Sequence, residues 1–119
     1  RSQTWLSQSS FHSNTQTLAL DVSHATAVLV NRGSSANDLH TVCAVLLGDA
    51  EAANASLPAP DGQLSRLLAK SYSYLGSAAN ECYRAGTSNQ ARSWALSLLR
   101  QAQASYAEAT ARLAVVLGH

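Results

Sequence analysis

The sequence predicts an all-α protein, an antiparallel up-down-up-down four-helix bundle. Three observations carry that expectation. Four stretches place apolar residues at steps of three and four, the spacing of one helical face. Three short breaks separate them, and helices joined by short loops pack as antiparallel neighbours. No run alternates apolar and polar residues as a half-buried strand does. The chain has 119 residues, 46% of them apolar, enough for one core and too few for two, so residues 1–119 are expected to form a single domain.

The first segment runs from about Thr4 to Val30, with Phe11, Thr15, Leu18, Val22, Ala25 and Leu29 on one stripe. Asn31-Arg32-Gly33 ends it, with Gly33 expected in the left-handed conformation that closes many helices. Ser35-Ala36-Asn37-Asp38 reads as a capping box opening the second helix, whose stripe is Leu39, Cys43, Leu46, Ala50 and Ala53. That helix must stop before Leu57-Pro58-Ala59-Pro60, because proline disfavours helical geometry in the residue before it.

Asp61 is a suitable N-cap for the third helix, which carries Leu64, Leu68, Ser71, Leu75, Ala78 and Cys82 and stops at Arg84-Ala85-Gly86. Thr87-Ser88-Asn89-Gln90 reads as a second capping box. The last helix follows, with Ala91, Ala95, Leu98, Ala102, Tyr106, Ala109, Leu113 and Val116 inward. The first and last helices are expected to be the longest, at roughly 27 to 30 residues. An even helix count places both termini at one end.

Charged residues are only 13% of the chain and the net charge is +1, which offers no footprint for nucleic acid or for an anionic membrane surface. No apolar run is long enough to span a bilayer, so any membrane attachment would lie in a segment outside this chain. The chain contains no methionine, position 1 included, which predicts a processed or excised piece of a longer, exported product. Seven of the eight basic residues are Arg, a bias of high-GC genomes.

Cys43 and Cys82 fit no zinc or redox spacing. Both fall on inward stripes of neighbouring helices, and in an exported chain they are expected to form a disulfide. Cys43 lies about 13 residues before the proline loop and Cys82 about 20 after it, a mismatch of roughly 10 Å that the loop must absorb.

Signals of chemistry are sparse. His12, His24 and His40 are the candidates for a haem or metal, but no His-x-x-x-His or Glu-x-x-His pair occurs. The seventeen serines lack a Gly-x-Ser-x-Gly elbow and read as caps and solvated surface. The acids are scattered, with no paired-carboxylate constellation expected, and the basic residues are spread along the chain, with Arg66 and Lys70 the only pair on one face, which reads as a solvated face. Tyr72 and Tyr83 share a flank of the third helix and could line a crevice. Neither catalysis, a cofactor nor a metal is expected.

The stretch from Asp38-Leu39-His40-Thr41-Val42-Cys43, through Leu57-Pro58-Ala59-Pro60-Asp61, to Asn80-Glu81-Cys82-Tyr83 resembles small exported or membrane-anchored helical proteins of actinobacteria. In those proteins a cysteine, a proline-aspartate loop and a second cysteine recur. The resemblance covers the middle 50 or so residues and implies an extracytoplasmic compartment and a disulfide, but no activity.

The functional expectation is therefore a non-catalytic extracytoplasmic module of the cell envelope that binds or scaffolds a partner. The alternatives are a ligand-sensing domain of a membrane receptor and a haem- or metal-binding bundle using the histidines. Leu6, Leu20 and Ala27 on the first helix, and Leu96 with Ala107 and Ala114 on the last, fall off the inward stripes among Ser, Thr, Gln and Ala. They mark an expected surface for a partner or a second copy, centred on Leu20.

Overall fold

A computed structural model describes residues 1–118, which are all-α: α1 (Ser2–Gln8), α2 (Phe11–Val30), α3 (Ala36–Ala55), α4 (Gly62–Ala85) and α5 (Asn89–Val116). Five helices stand where four were expected, because the first predicted helix is two. Ser9 is extended, with φ −88° and ψ 168°, and its hydroxyl oxygen accepts the Phe11 N–H at 3.2 Å. In a continuous helix that N–H would bond the Ser7 carbonyl. A serine that offers its own oxygen to the backbone can break a helix in this way. Asn14 N–H then bonds the Ser10 carbonyl, and α2 begins.

Side-chain caps decide the other helix starts. Ser35 accepts the Asp38 N–H and Asp38 accepts the Ser35 N–H, the complete capping box that opens α3. Asp61 accepts the Leu64 N–H at 2.9 Å and opens α4. At α5 the cap lies one residue later than expected: Ser88, rather than Thr87, accepts the Ala91 N–H. Gly33 is also a correction, since its φ is not positive. The side chain of Asn31 accepts the Gly33 N–H at 2.9 Å, an Asx turn that closes α2 without a left-handed residue. Gly86, with φ 55°, does supply the left-handed stop after α4.

α2 packs on α3, α3 on α4 and α4 on α5, while α5 meets α2 only lightly, and the molecule measures 46 × 21 × 17 Å. α4 is the spine, burying Leu64, Leu68, Tyr72, Leu75, Ala78, Ala79 and Cys82 between its two neighbours. Buried alanines, among them Ala25, Ala50, Ala53, Ala95, Ala102 and Ala109, allow close helix approach. Ser71, buried at mid-height, donates to the Ala102 carbonyl at 2.8 Å, so its hydroxyl is satisfied inside the core.

Cys43 and Cys82 form a disulfide between α3 and α4, with Cα atoms 6.0 Å apart and both side chains buried. The height mismatch is met by α4 overhanging the end of α3. The Leu57–Asp61 loop returns alongside the first turns of α4, where Ala59 is buried and its N–H bonds the Ser65 hydroxyl at 2.7 Å.

The two ends of the molecule are pinned by arginines. At one end Arg92, only 4% exposed, donates to the carbonyls of Gly86 at 3.0 and 2.8 Å, Asn31 at 3.0 Å and Ser34 at 2.7 Å. Arg66 and Lys70 are exposed, as their shared face suggested, and the burial of Arg92 leaves no signal in the sequence. At the other end Arg112 grips both oxygens of Asp61 at 2.9 Å. The hydrogen bond from Arg112, followed by that from the Leu64 N–H, lowers the Asp61 carboxyl from 3.8 to about 2.

Three outcomes follow for stability. Replacing Cys43 and Cys82 together by alanine lowers the unfolding free energy by about 2–5 kcal/mol in urea denaturation, since the bridge closes a loop with a separation of 39 residues. Arg92→Ala costs about 3 kcal/mol and Arg92→Lys recovers little, because the single nitrogen of an ammonium cannot reach carbonyls spaced to meet the three nitrogens of a guanidinium. The Asp61 contribution is present above pH 3.8 and is lost as pH falls toward about 2, so Arg112→Gln should flatten the acid limb of a pH-stability curve.

Candidate functional site

The loose meeting of α2 and α5 leaves a groove of about 450 Å³. Thr15, Leu18, Ala19 and Val22 of α2 form one wall, and Gln103, Tyr106, Ala107 and Thr110 of α5 the other. Ser71 and Leu75 of α4, with Ala102, form the floor.

The groove has a simple steric cause. Tyr106 and Thr15 share a hydrogen bond of 2.6 Å that bridges α2 and α5. On either side of it the side chains at Ala19, Ala102 and Ala107 are too small to fill the gap. Aromatic rings adjoin the bridge: Trp5 of α1 lies 5.2 Å from Phe11, and Phe11 stacks on Tyr106 at 6.5 Å. No Asp, Glu, Lys, Arg or His lines the groove. Burial raises the Tyr106 phenol, opposed by its bond with Thr15, so the site is electrically neutral.

The side chains named from sequence are dispersed. Leu20, 61% exposed, and Ala27 lie on the solvent side of α2, and Leu20 is about 200° around the helix from the groove residue Val22. Leu6 and Leu96 are half-buried and pack against the core. Ala107 is exposed and lines the rim of the groove.

His12, His24 and His40 are exposed, and the described residues hold no group of three metal-ligating side chains. His40 stacks on Tyr83 across α3 and α4, with ring centroids 4.3 Å apart. Tyr72 is buried and burial pushes its phenol upward, whereas Tyr83 is exposed. A smaller hollow of about 410 Å³ beside Tyr72 is rimmed by Glu51 and Asn54.

A correction concerns the acids, which are not all scattered. Asp21 of α2 is buried at 8% exposure, within hydrogen-bonding reach of Asp49 of α3, and its Oδ2 has no partner. Burial, and then the hydrogen bond and charge of Asp49, push the Asp21 carboxyl up to about 7. Twenty-eight residues separate the two acids in sequence, so only the docking of α2 on α3 reveals the pair. The one sequence signal was the position of Asp21 between Leu18 and Ala25, on the edge of a buried stripe.

No family model, no curated protein and no solved structure matches the chain.

Proposed function

We propose that the chain is a non-catalytic, extracytoplasmic helical-bundle module of the cell envelope, and that the α2–α5 groove binds a small, uncharged, largely apolar ligand. On this reading α2 to α5 form an up-down-up-down bundle and α1 caps one end. The observation that carries it is the groove itself. Its volume lies in the range typical of small-molecule sites, and its lining is aliphatic with a few placed polar groups. The Thr15–Tyr106 pair and the Gln103 amide offer hydrogen bonds to a single polar head, while Leu18, Val22, Leu75 and Ala107 suit a hydrocarbon body. A charged ligand would lose its hydration without gaining a counter-ion.

Two further observations support the reading. The Cys43–Cys82 disulfide is compatible with an oxidising compartment. The Ser71 hydroxyl on the groove floor donates to a backbone carbonyl rather than to a base, which suits binding rather than nucleophilic attack.

Binding of the neutral fluorophore N-phenyl-1-naphthylamine, excited directly, tests the site. The protein should enhance its emission saturably, and Ala107→Trp, which fills the groove from an exposed position, should weaken binding by at least about tenfold, equivalent to about 1.4 kcal/mol. Thermal unfolding of that variant should stay within a few degrees of the parent. Absence of binding to the parent, or equal binding to the filled variant, would overturn the assignment.

A further inference from the structure

We propose that Asp21 and Asp49 form a proton-binding latch, which holds α2 against α3 when the pair carries one proton and loosens α2 when both carboxylates are charged. Because α2 is one wall of the groove, the latch also controls binding there, a consequence that rests on the function proposed above.

The geometry makes the case. Asp21 sits on the α2–α3 seam with 8% exposure, and no donor reaches its Oδ2. A buried carboxylate oxygen left without a donor is costly, and the great majority of buried polar atoms have a partner. The neighbour within reach is another carboxyl group, Asp49, which as an anion can only accept. A single proton resolves both problems. Held on Asp21, it donates to Asp49, satisfies the buried oxygen and removes one of two like charges.

The surroundings offer no other relief. From α3 the group that faces Asp21 is Asp49, and Glu51, two residues further on, is exposed. On α2 itself His24, one turn on, is exposed. The groove that α5 shares with α2 is lined by no ionisable group except Tyr106, already bonded to Thr15, and Arg92 of α5 is engaged by carbonyls beyond the C-terminal end of α2. Among the described residues the ion pairs are Arg84–Glu81 and Arg112–Asp61, and neither involves this seam.

α2 is also the long helix best placed to respond. It lies across the ring from α4 and meets α5 only lightly, so the α3 seam is its principal attachment. Its connection to α1 is the extended Ser9 rather than continuous helix.

The sign follows from linkage. The folded seam binds a proton more tightly than a free aspartate does, since the Asp21 carboxyl moves from 3.8 up to about 7. The stabilisation is therefore fully present below pH 3.8 and is lost as pH rises through about 7. Acidification tightens α2 and alkalinity frees it.

Amide hydrogen exchange at pH 5.5 and pH 8.0, corrected for intrinsic rates, provides the test, together with N-phenyl-1-naphthylamine affinity at both values. In the parent, α2 amides should lose protection on the order of tenfold at pH 8.0 while α4 amides change little, and probe affinity should fall several-fold. Asp21→Asn should abolish both pH effects. Asp49→Asn, at a half-buried position, should reduce them and serves if the first variant folds poorly. Equal α2 protection at the two pH values, or a pH effect that survives both substitutions, would overturn the latch. Loss of α2 protection with unchanged probe affinity would overturn its control of the groove. Failure of the probe to bind at either pH would sink the binding function instead, leaving hydrogen exchange to judge the latch alone.

Discussion

The architecture depends on one buried cation. Arg92, in the first turn of α5, has no carboxylate partner among the described residues, yet it is almost wholly withdrawn from water. Its charge is solvated instead by backbone carbonyls just past the C-terminal ends of α2 and α4, at Asn31 and Gly86, with Ser34 of the intervening loop as the third. Helix C-termini carry partial negative charge and carbonyls without intrahelical partners, so a cation there answers two needs together. The planar guanidinium can address three carbonyls simultaneously, and in doing so it sets α2 and α4 at a common height beside the start of α5.

The rest of the frame follows from that pin. With α2 and α4 held at one end, the disulfide joins α3 to α4, and Arg112 ties the far end of α5 to the cap of α4. The strongest ties pass through α3, α4 or α5, and α2 is fastened by its C-terminal loop, by the α3 seam and by the Thr15–Tyr106 bond. The groove is the consequence. Tyr106 bridges α2 and α5, and the alanines on either side of it cannot close the gap. Two buried ionisable groups thus meet opposite fates. Arg92 finds a full set of acceptors and locks the structure, whereas Asp21 faces another acid and remains dependent on a proton.

Much of the fold is legible along the chain because its causes are local. The Ser35–Asp38 capping box, the Asp61 cap, the stop at Gly86 and the halt before Pro58 each depend on neighbouring residues, and the apolar stripes of α3, α4 and α5 identify most of the core. The pairing of Cys43 with Cys82 is legible too, since loop connectivity makes their helices neighbours. The break at Ser9–Ser10 was less visible: the apolar stripe runs past it, and a serine hydroxyl capturing one amide outweighs periodicity there.

The helical class, the position of most caps and stops, and the inward faces are all set by interactions within a few residues, and so can be read along the chain. Tertiary structure alone decided the rest. The solvation of Arg92 by carbonyls from residues 31, 34 and 86, the meeting of Asp21 with Asp49, and the groove bridged by Thr15 and Tyr106 all join groups on different helices. Their partners are backbone carbonyls, like charges and empty space, none of which leaves a spacing pattern in the chain. Such features exist only once the helices have been brought to a particular height and rotation against one another.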